Sequence, residues 1–217
     1  MTFEPQVNPE FLVRDLDELR SLFPATHPVA IQKCLDRLDS HARDFMARAP
    51  FLCIGTQSPE GLADVSPRGD PCGFVKVLDD KTFLIPDRPG NNRLDTQKNI
   101  LANPAVGILF MIPGFEDTMR VNGTAQISRD PELLAVLAVQ DRTPTVAIVV
   151  TVKEVFLHCA KALRRAKLWD PAAHQERRDM PSLMKIILDQ TIGAPTDPNA
   201  MLKLDANLEQ DYKNSMY

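Results

Sequence analysis

A chain of 217 residues, 44% hydrophobic and 25% charged, carries enough apolar material for one globular domain with extensions, which excludes a disordered or low-complexity protein. Its net charge of -4 excludes a nucleic-acid binder working by bulk electrostatics, so basic residues that matter must act locally. No apolar run reaches about 18 residues and the acidic, polar start has no leader pattern, so the expected place is the cytoplasm.

Residues 9–23 set Phe11, Leu12, Leu16, Leu19, Leu22 and Phe23 at helical spacing, and Pro24 stops the predicted helix. Pro28 opens a second predicted helix that runs to about Ala49, with Ile31, Leu35, Leu38, Ala42, Phe45 and Met46 on one side. Both read as structural, and His27 and His41 as surface or capping residues. Together they form an N-terminal helical extension over residues 1–49.

From Pro50 the hydrophobic period changes. Phe51 to Thr56 and Leu62 to Ser66 flank the turn S-P-E-G and predict a hairpin. Phe74 to Leu78 and Thr82 to Pro86, joined by Asp79-Asp80-Lys81, predict a second. Two basic clusters, S-P-R-G-D at 66–70 and P-D-R-P-G-N-N-R at 86–93, lie at the two ends of that second hairpin. Arg68, Arg88 and Arg93 offer planar, permanently charged forks that match phosphate oxygens two at a time. Gly69 and Gly90 let the backbone turn or approach a ligand, and exposed N–H groups in such turns form an anion-binding concavity. Asn91 or Asn92 is expected to cap a helix from Arg93 to Asn103, whose N-terminus then points at the same anion.

Val106 to Ile112 and the alternating stretch Met119 to Ser128 continue the strands; Glu132 to Gln140 predicts a short helix, and Val146 to His158 is the longest β-branched run. About seven mostly consecutive strands with turn signals between them predict a small antiparallel barrel, in a domain over residues 50–193. Neither a dinucleotide fingerprint nor a P-loop occurs. Cys159 to Trp169 forms a second basic locus. Lys161, Arg164, Arg165 and Lys167, ending in Trp169, are either a solvated helix start or cations and an aromatic wall for the same anion, supplied by a neighbouring subunit. Residues 181–192 predict an amphipathic helix, and 194–217 a polar tail with Met201, Leu204 and Leu208 at helical spacing. Cys34, Cys53, Cys72 and Cys159 form no C-x-x-C pair, and the four histidines are scattered, so no metal site is expected.

D-V-S-P-R-G-D at 64–70, I-P-D-R-P-G-N-N-R at 85–93, the helix leading to N-P at 103–104 and H-C-A-K-A-L-R-R-A-K-L-W at 158–169 together resemble the FMN-binding split-barrel proteins related to pyridoxamine 5'-phosphate oxidase. The likeness is narrower still to their bacterial subgroup of FMN-dependent enzymes and covers roughly residues 30–193. It implies a mainly β (α+β) fold, a six- to seven-stranded antiparallel split β-barrel with N-terminal helices, an inserted helix and a C-terminal helix. It also implies a homodimer with FMN at the subunit interface. By this resemblance Ser66, Arg68, Gly69 and Asp70 lie beside the flavin, Asp87, Asn91, Asn92 and Arg93 surround its phosphate and ribityl chain, and Lys161, Arg164 and Trp169 approach from the second subunit. The activity implied is FMN-dependent oxidoreduction of a small organic substrate through flavin N5, with NAD(P)H or oxygen as the other partner. A flavin-binding carrier or sensor, or a split barrel using deazaflavin or haem, are the alternatives. The basic C-terminal signature of the true oxidases is replaced by an acidic, Met-containing tail, so vitamin B6 oxidation is not implied.

Overall fold

Seven strands, β1 (Phe51–Gln57), β2 (Ala63–Gly69), β3 (Lys76–Val77), β4 (Thr82–Pro86), β5 (Ala105–Met111), β6 (Thr118–Ser128) and β7 (Ala147–His158), pair in one antiparallel sheet of order β2-β1-β5-β6-β7-β4-β3. The structure is a computed structural model and describes residues 7–216. The described chain forms two compact units, one ending at Cys34 and one beginning at Leu35.

Alternation decides which face each strand buries. Leu52 and Ile54 of β1, Val106, Ile108 and Phe110 of β5, Met119 and Val121 of β6, Phe83 and Ile85 of β4, and Ile148, Val150 and Val152 of β7 belong to one buried cluster. The Phe83 and Phe110 rings meet edge to face at 6.0 Å between centroids. Their strands β4 and β5 are separated by β6 and β7, three spacings or about 14 Å in a flat sheet. The sheet therefore curls on its inner face into the expected split barrel. Curling is helped by a bulge, where Asn122 pairs with Glu154 but Gly123 pairs with Val152, leaving Lys153 as the extra residue. A Cβ on Gly123 would stand 2.2 Å from the Thr151 carbonyl oxygen, so only glycine fits there.

The helices are shorter than the periodicity predicts. The expected helix over 28–49 is two, α2 (Pro28–Gln32) and α3 (Ser40–Arg48). Between them Leu35 exchanges both backbone hydrogen bonds with Val155, at 3.0 and 2.8 Å, and Asp39 caps α3 by accepting from the Ala42 N–H at 2.8 Å. A strand partner and a cap thus outcompete helical continuation. The expected helix over 9–23 is likewise a 3-10 turn, Pro9–Phe11, and α1 (Leu16–Ser21), capped by Asp15. His27 does act as a cap, its Nδ1 accepting from the Val29 N–H at 3.2 Å. Neither α1 nor α2 buries a residue. The inserted helix α4 (Asp95–Ala102) packs on β1 and β6. The predicted helix over 132–140 ends early, as α5 (Pro131–Ala135), and the chain then turns through Gln140 and Asp141 at positive φ. After α6 (Lys161–Ala166), helices α7 (Leu183–Gln190) and α8 (Pro198–Ser215) pack together, with Met201 buried.

Candidate functional site

The register of β2 against β1 pairs Arg68 with Leu52, Ser66 with Ile54 and Asp64 with Thr56. Leu52, Ile54 and Thr56 face inward, so Asp64, Ser66 and Arg68 do too. Yet β2 ends the sheet, and its inner face opens into a cleft of about 430 Å³. The opposite wall is the loop from Pro86 to Leu94 and the first turn of α4.

Two reciprocal ion pairs span the gap between β2 and the end of β4. Arg68 Nη1 meets Asp87 Oδ1 at 2.7 Å, and Arg88 Nε meets Asp70 Oδ2 at 2.6 Å. These strands lie near opposite ends of the sheet, so the pairs close the split in the barrel. All four side chains are largely buried, and such pairs are strong only when their remaining polar atoms are bonded. Asp87 Oδ1 also accepts from Gln97 Nε2 at 2.6 Å, and Arg88 Nη2 donates to the Leu137 carbonyl at 2.9 Å. Arg68 Nε, buried, has no partner. Arg93 is different: its side chain is 72% exposed at the cleft mouth, paired at 2.7 Å with Asp95 two residues on.

The loop between β4 and α4 is held in an uncommon shape. Asn92 and Leu94 have φ of 56° and 59°, in the left-handed region. The expected asparagine cap of α4 is corrected here: Leu94 occupies the cap position without a side-chain hydrogen bond, and Asn91 Oδ1 instead accepts from the Arg93 N–H at 3.1 Å. What fixes α4 is a polar bracket beneath the cleft. Asn99 Nδ2 donates to Thr56 Oγ1 at 3.0 Å, and the Thr56 and Thr96 hydroxyls donate to Asp64 Oδ2 at 3.5 and 3.4 Å. None of these partners was singled out from the sequence, because the bracket joins residues 32 and 43 positions apart whose types are common in loops and helices alike.

Ser66, Arg68, Gly69, Asp87, Asn91, Asn92 and Arg93 therefore line one cleft, with Asp70 behind it through Arg88. Lys161, Arg164 and Trp169 are not brought to it within one chain. Arg164 pairs with Glu116, whose hydrogen bond and charge raise the guanidinium pKa, and Trp169 Nε1 donates to the Phe115 carbonyl at 2.7 Å. Arg164 and Trp169 line a second cleft, of about 460 Å³, with Glu116, Asp117 and Asp170.

The first cleft is lined by three arginines (68, 88, 93) and three aspartates (64, 87, 95), whose formal charges cancel. Such a lining suits an anion-bearing ligand that also carries hydroxyl or N–H donors: forks for the anion, carboxylates for the donors. Among the described residues, no group of His, Cys, Asp and Glu is arranged to hold a metal ion, and no helix is long and apolar enough to cross a membrane.

The sequence model of a family described as pyridoxamine 5'-phosphate oxidase matches residues 38–159. No curated protein sequence matches this chain. Solved structures with a similar fold include HupZ from Group A Streptococcus, 19% identical over 55% of this chain and 92% of that one, TM-score 0.46. A candidate pyridoxamine 5'-phosphate oxidase from Lactobacillus delbrueckii is 17% identical over 56% of this chain and 95% of that one, TM-score 0.46. An FMN-binding protein from Syntrophomonas wolfei is 9% identical over 60% of this chain and 91% of that one, TM-score 0.42.

Proposed function

We propose that this chain, which belongs to the pyridoxamine 5'-phosphate oxidase family, binds FMN in the cleft between β2 and α4 and acts as an FMN-dependent oxidoreductase on a small organic substrate. The observation that carries the proposal is the convergence on one 430 Å³ cleft of arginines from two strand ends and the N-terminal turn of α4. The volume lies within the range of small-molecule sites. Arg93, exposed at the mouth, and the first turn of α4 take the phosphate, because the fork and the helix N-terminus both favour an anion. Asp64 and Asp87 accept from the hydroxyl or ring N–H groups of the ligand. Arg68 holds the β2 wall against the loop through its pair with Asp87. Lys161, Arg164 and Trp169 approach the same ligand from the second subunit of a homodimer. The two-electron redox chemistry in such a site belongs to the flavin, centred on N5, and the protein supplies orientation and electrostatics.

A haem reading of the cleft finds less support. Its lining contains no His, Cys, Met or Tyr to serve as an axial ligand. Deazaflavin and FMN share the features the cleft recognises, and a carrier or sensor would use the same residues, so these readings are separated by the bound chromophore and its reactivity. The test is the visible spectrum of the freshly purified protein, followed by heat release and identification of the chromophore. Absorbance near 450 nm and about one FMN per chain are expected, with bleaching by NAD(P)H or another donor marking an oxidoreductase. A colourless protein that takes up no added FMN overturns the proposal.

A further inference from the structure

The three arginine and aspartate pairs around the first cleft are not alike. Arg68 with Asp87 and Arg88 with Asp70 join segments far apart in the chain, are largely buried, and have further hydrogen bonds, from Gln97 to Asp87 and from Arg88 to the Leu137 carbonyl. They are fixed parts of the wall. Arg93 and Asp95 are two residues apart and meet at the cleft mouth, Nε to Oδ2 at 2.7 Å, with side chains 72% and 36% exposed. A pair between exposed side chains is weak, so its cation can exchange one anion for another.

The loop fixes the backbone of Arg93 and leaves its side chain to swing. The Arg93 N–H donates to Asn91 Oδ1 at 3.1 Å, and the residues on either side, Asn92 and Leu94, have φ of 56° and 59°. Leu94, at the cap position of α4, offers the helix no side-chain acceptor, and the acidic residue of the first turn is Asp95. One carboxylate therefore engages both features that attract an anion here, the guanidinium fork and the positive end of the helix. Asp64, which accepts from the Thr96 hydroxyl at 3.4 Å, brings a second carboxylate to the same turn. The other oxygen of Asp95, Oδ1, lies 3.9 Å from Lys98 Nζ, so Asp95 has a second cation to turn to once Arg93 is taken.

We propose that Asp95 is a specificity-determining residue of this cleft: it holds the Arg93 fork against small free anions and yields it to a phosphate whose ligand body fills the rest of the cleft. The inference rests on the phosphate placement of the reading above and adds what that placement refuses. Free phosphate trades one carboxylate and guanidinium pair for one phosphate and guanidinium pair, and it sets its own charge against Asp95 and Asp64, so the exchange gains little. A ligand that also donates to Asp87 and packs along Pro86 and Phe74 of the lining brings the free energy that the phosphate alone lacks. Discrimination of this kind comes from an unfavourable element aimed at the wrong ligand as much as from contacts to the right one.

Asp95→Asn keeps the shape of the side chain and removes its charge. In calorimetric titrations of the flavin-free full chain, the variant is expected to bind FMN about two- to fivefold more tightly than the wild type, the range of an exposed ion pair. Riboflavin, which lacks the phosphate, is expected to bind both equally. Inorganic phosphate, with chloride at matched ionic strength as the control, is expected to raise the melting temperature of the variant more than that of the wild type. Circular dichroism establishes that the variant is folded, and if it is not, Asp95→Ser, a residue suited to the start of a helix, takes its place with the same expectations. An FMN affinity equal to or below that of the wild type, or one that rises by the same factor for riboflavin, overturns the inference and leaves the flavin reading standing. A chain that binds neither flavin sinks that reading, and the phosphate melts then decide the inference by themselves: equal shifts in variant and wild type overturn it, and a larger shift in the variant upholds it.

Discussion

Arg68 closes the split in the barrel through its Nη1 and Asp87, while its buried Nε has no hydrogen-bond partner, and on the proposed reading it also holds one wall of the FMN cleft. Replacing Arg93 by alanine should weaken FMN binding by about 1.5 to 3 kcal/mol, the value of a hydrogen bond to a charged group, and Arg68→Ala should weaken it by releasing the β2 wall of the cleft from Asp87. Flavin fluorescence titration reads this directly, and unchanged affinity in both variants would remove the phosphate assignment. Arg68→Ala should also lower the melting temperature, because Asp87 keeps only Gln97 in a largely buried setting, whereas Arg93→Ala, at an exposed pair, should not. Leu94 makes the opposite case. It is 48% exposed and held in a left-handed conformation that asparagine tolerates better. Leu94→Asn should therefore stabilise the protein by about 0.5 to 1 kcal/mol in a denaturant titration, and a loss of stability would mean that the side chain packs more than its exposure indicates. The arginines and glycines of this site were legible in the sequence because their chemistry is unusual and clustered. Asp64, Thr96 and Asn99 were not, because a carboxylate held by two threonines acquires its role only after α4 docks across β1 and β2.

At the level of elements, the hairpins read correctly because a turn and its two strands are local in sequence. β1 with β2, and β3 with β4, fall where the turn residues place them. The helices read too long, since apolar spacing says which residues share a face but not where another element offers better backbone partners. Leu35 shows this: its helical position is given up for two hydrogen bonds to Val155, which lies beyond the reach of β4 on the same edge of β7. The bulge at Gly123 was equally invisible, and it is the place where the sheet tolerates least. Gly123→Ala must push a methyl group into the backbone of β7 at Thr151. It should cost about 3 kcal/mol, as overpacking against a part that cannot rotate away. A shift of the denaturation midpoint worth less than about 1 kcal/mol would mean that the two strands separate easily there.

For the whole molecule, overall charge and local charge point the same way. The chain is mildly acidic at -4, and the cleft lining cancels to zero, so an anion is not drawn in by the general field. On the proposed reading it is recognised by geometry: an exposed fork at Arg93, a loop bent at Asn92 and Leu94, and the first turn of α4. The barrel itself was readable from strand count and turn spacing. Its closure by ion pairs between β2 and the loop after β4 was not, because these segments become neighbours only when a sheet of seven strands curls. The most direct measurement of the central claim is a calorimetric titration of flavin-free protein with FMN and, in parallel, with riboflavin, which differs only in lacking the phosphate. The account predicts saturable binding of about one FMN per chain, tighter than riboflavin by about 10- to 150-fold, the equivalent of one charged hydrogen bond. Equal affinity for the two, or no binding of either, would contradict it.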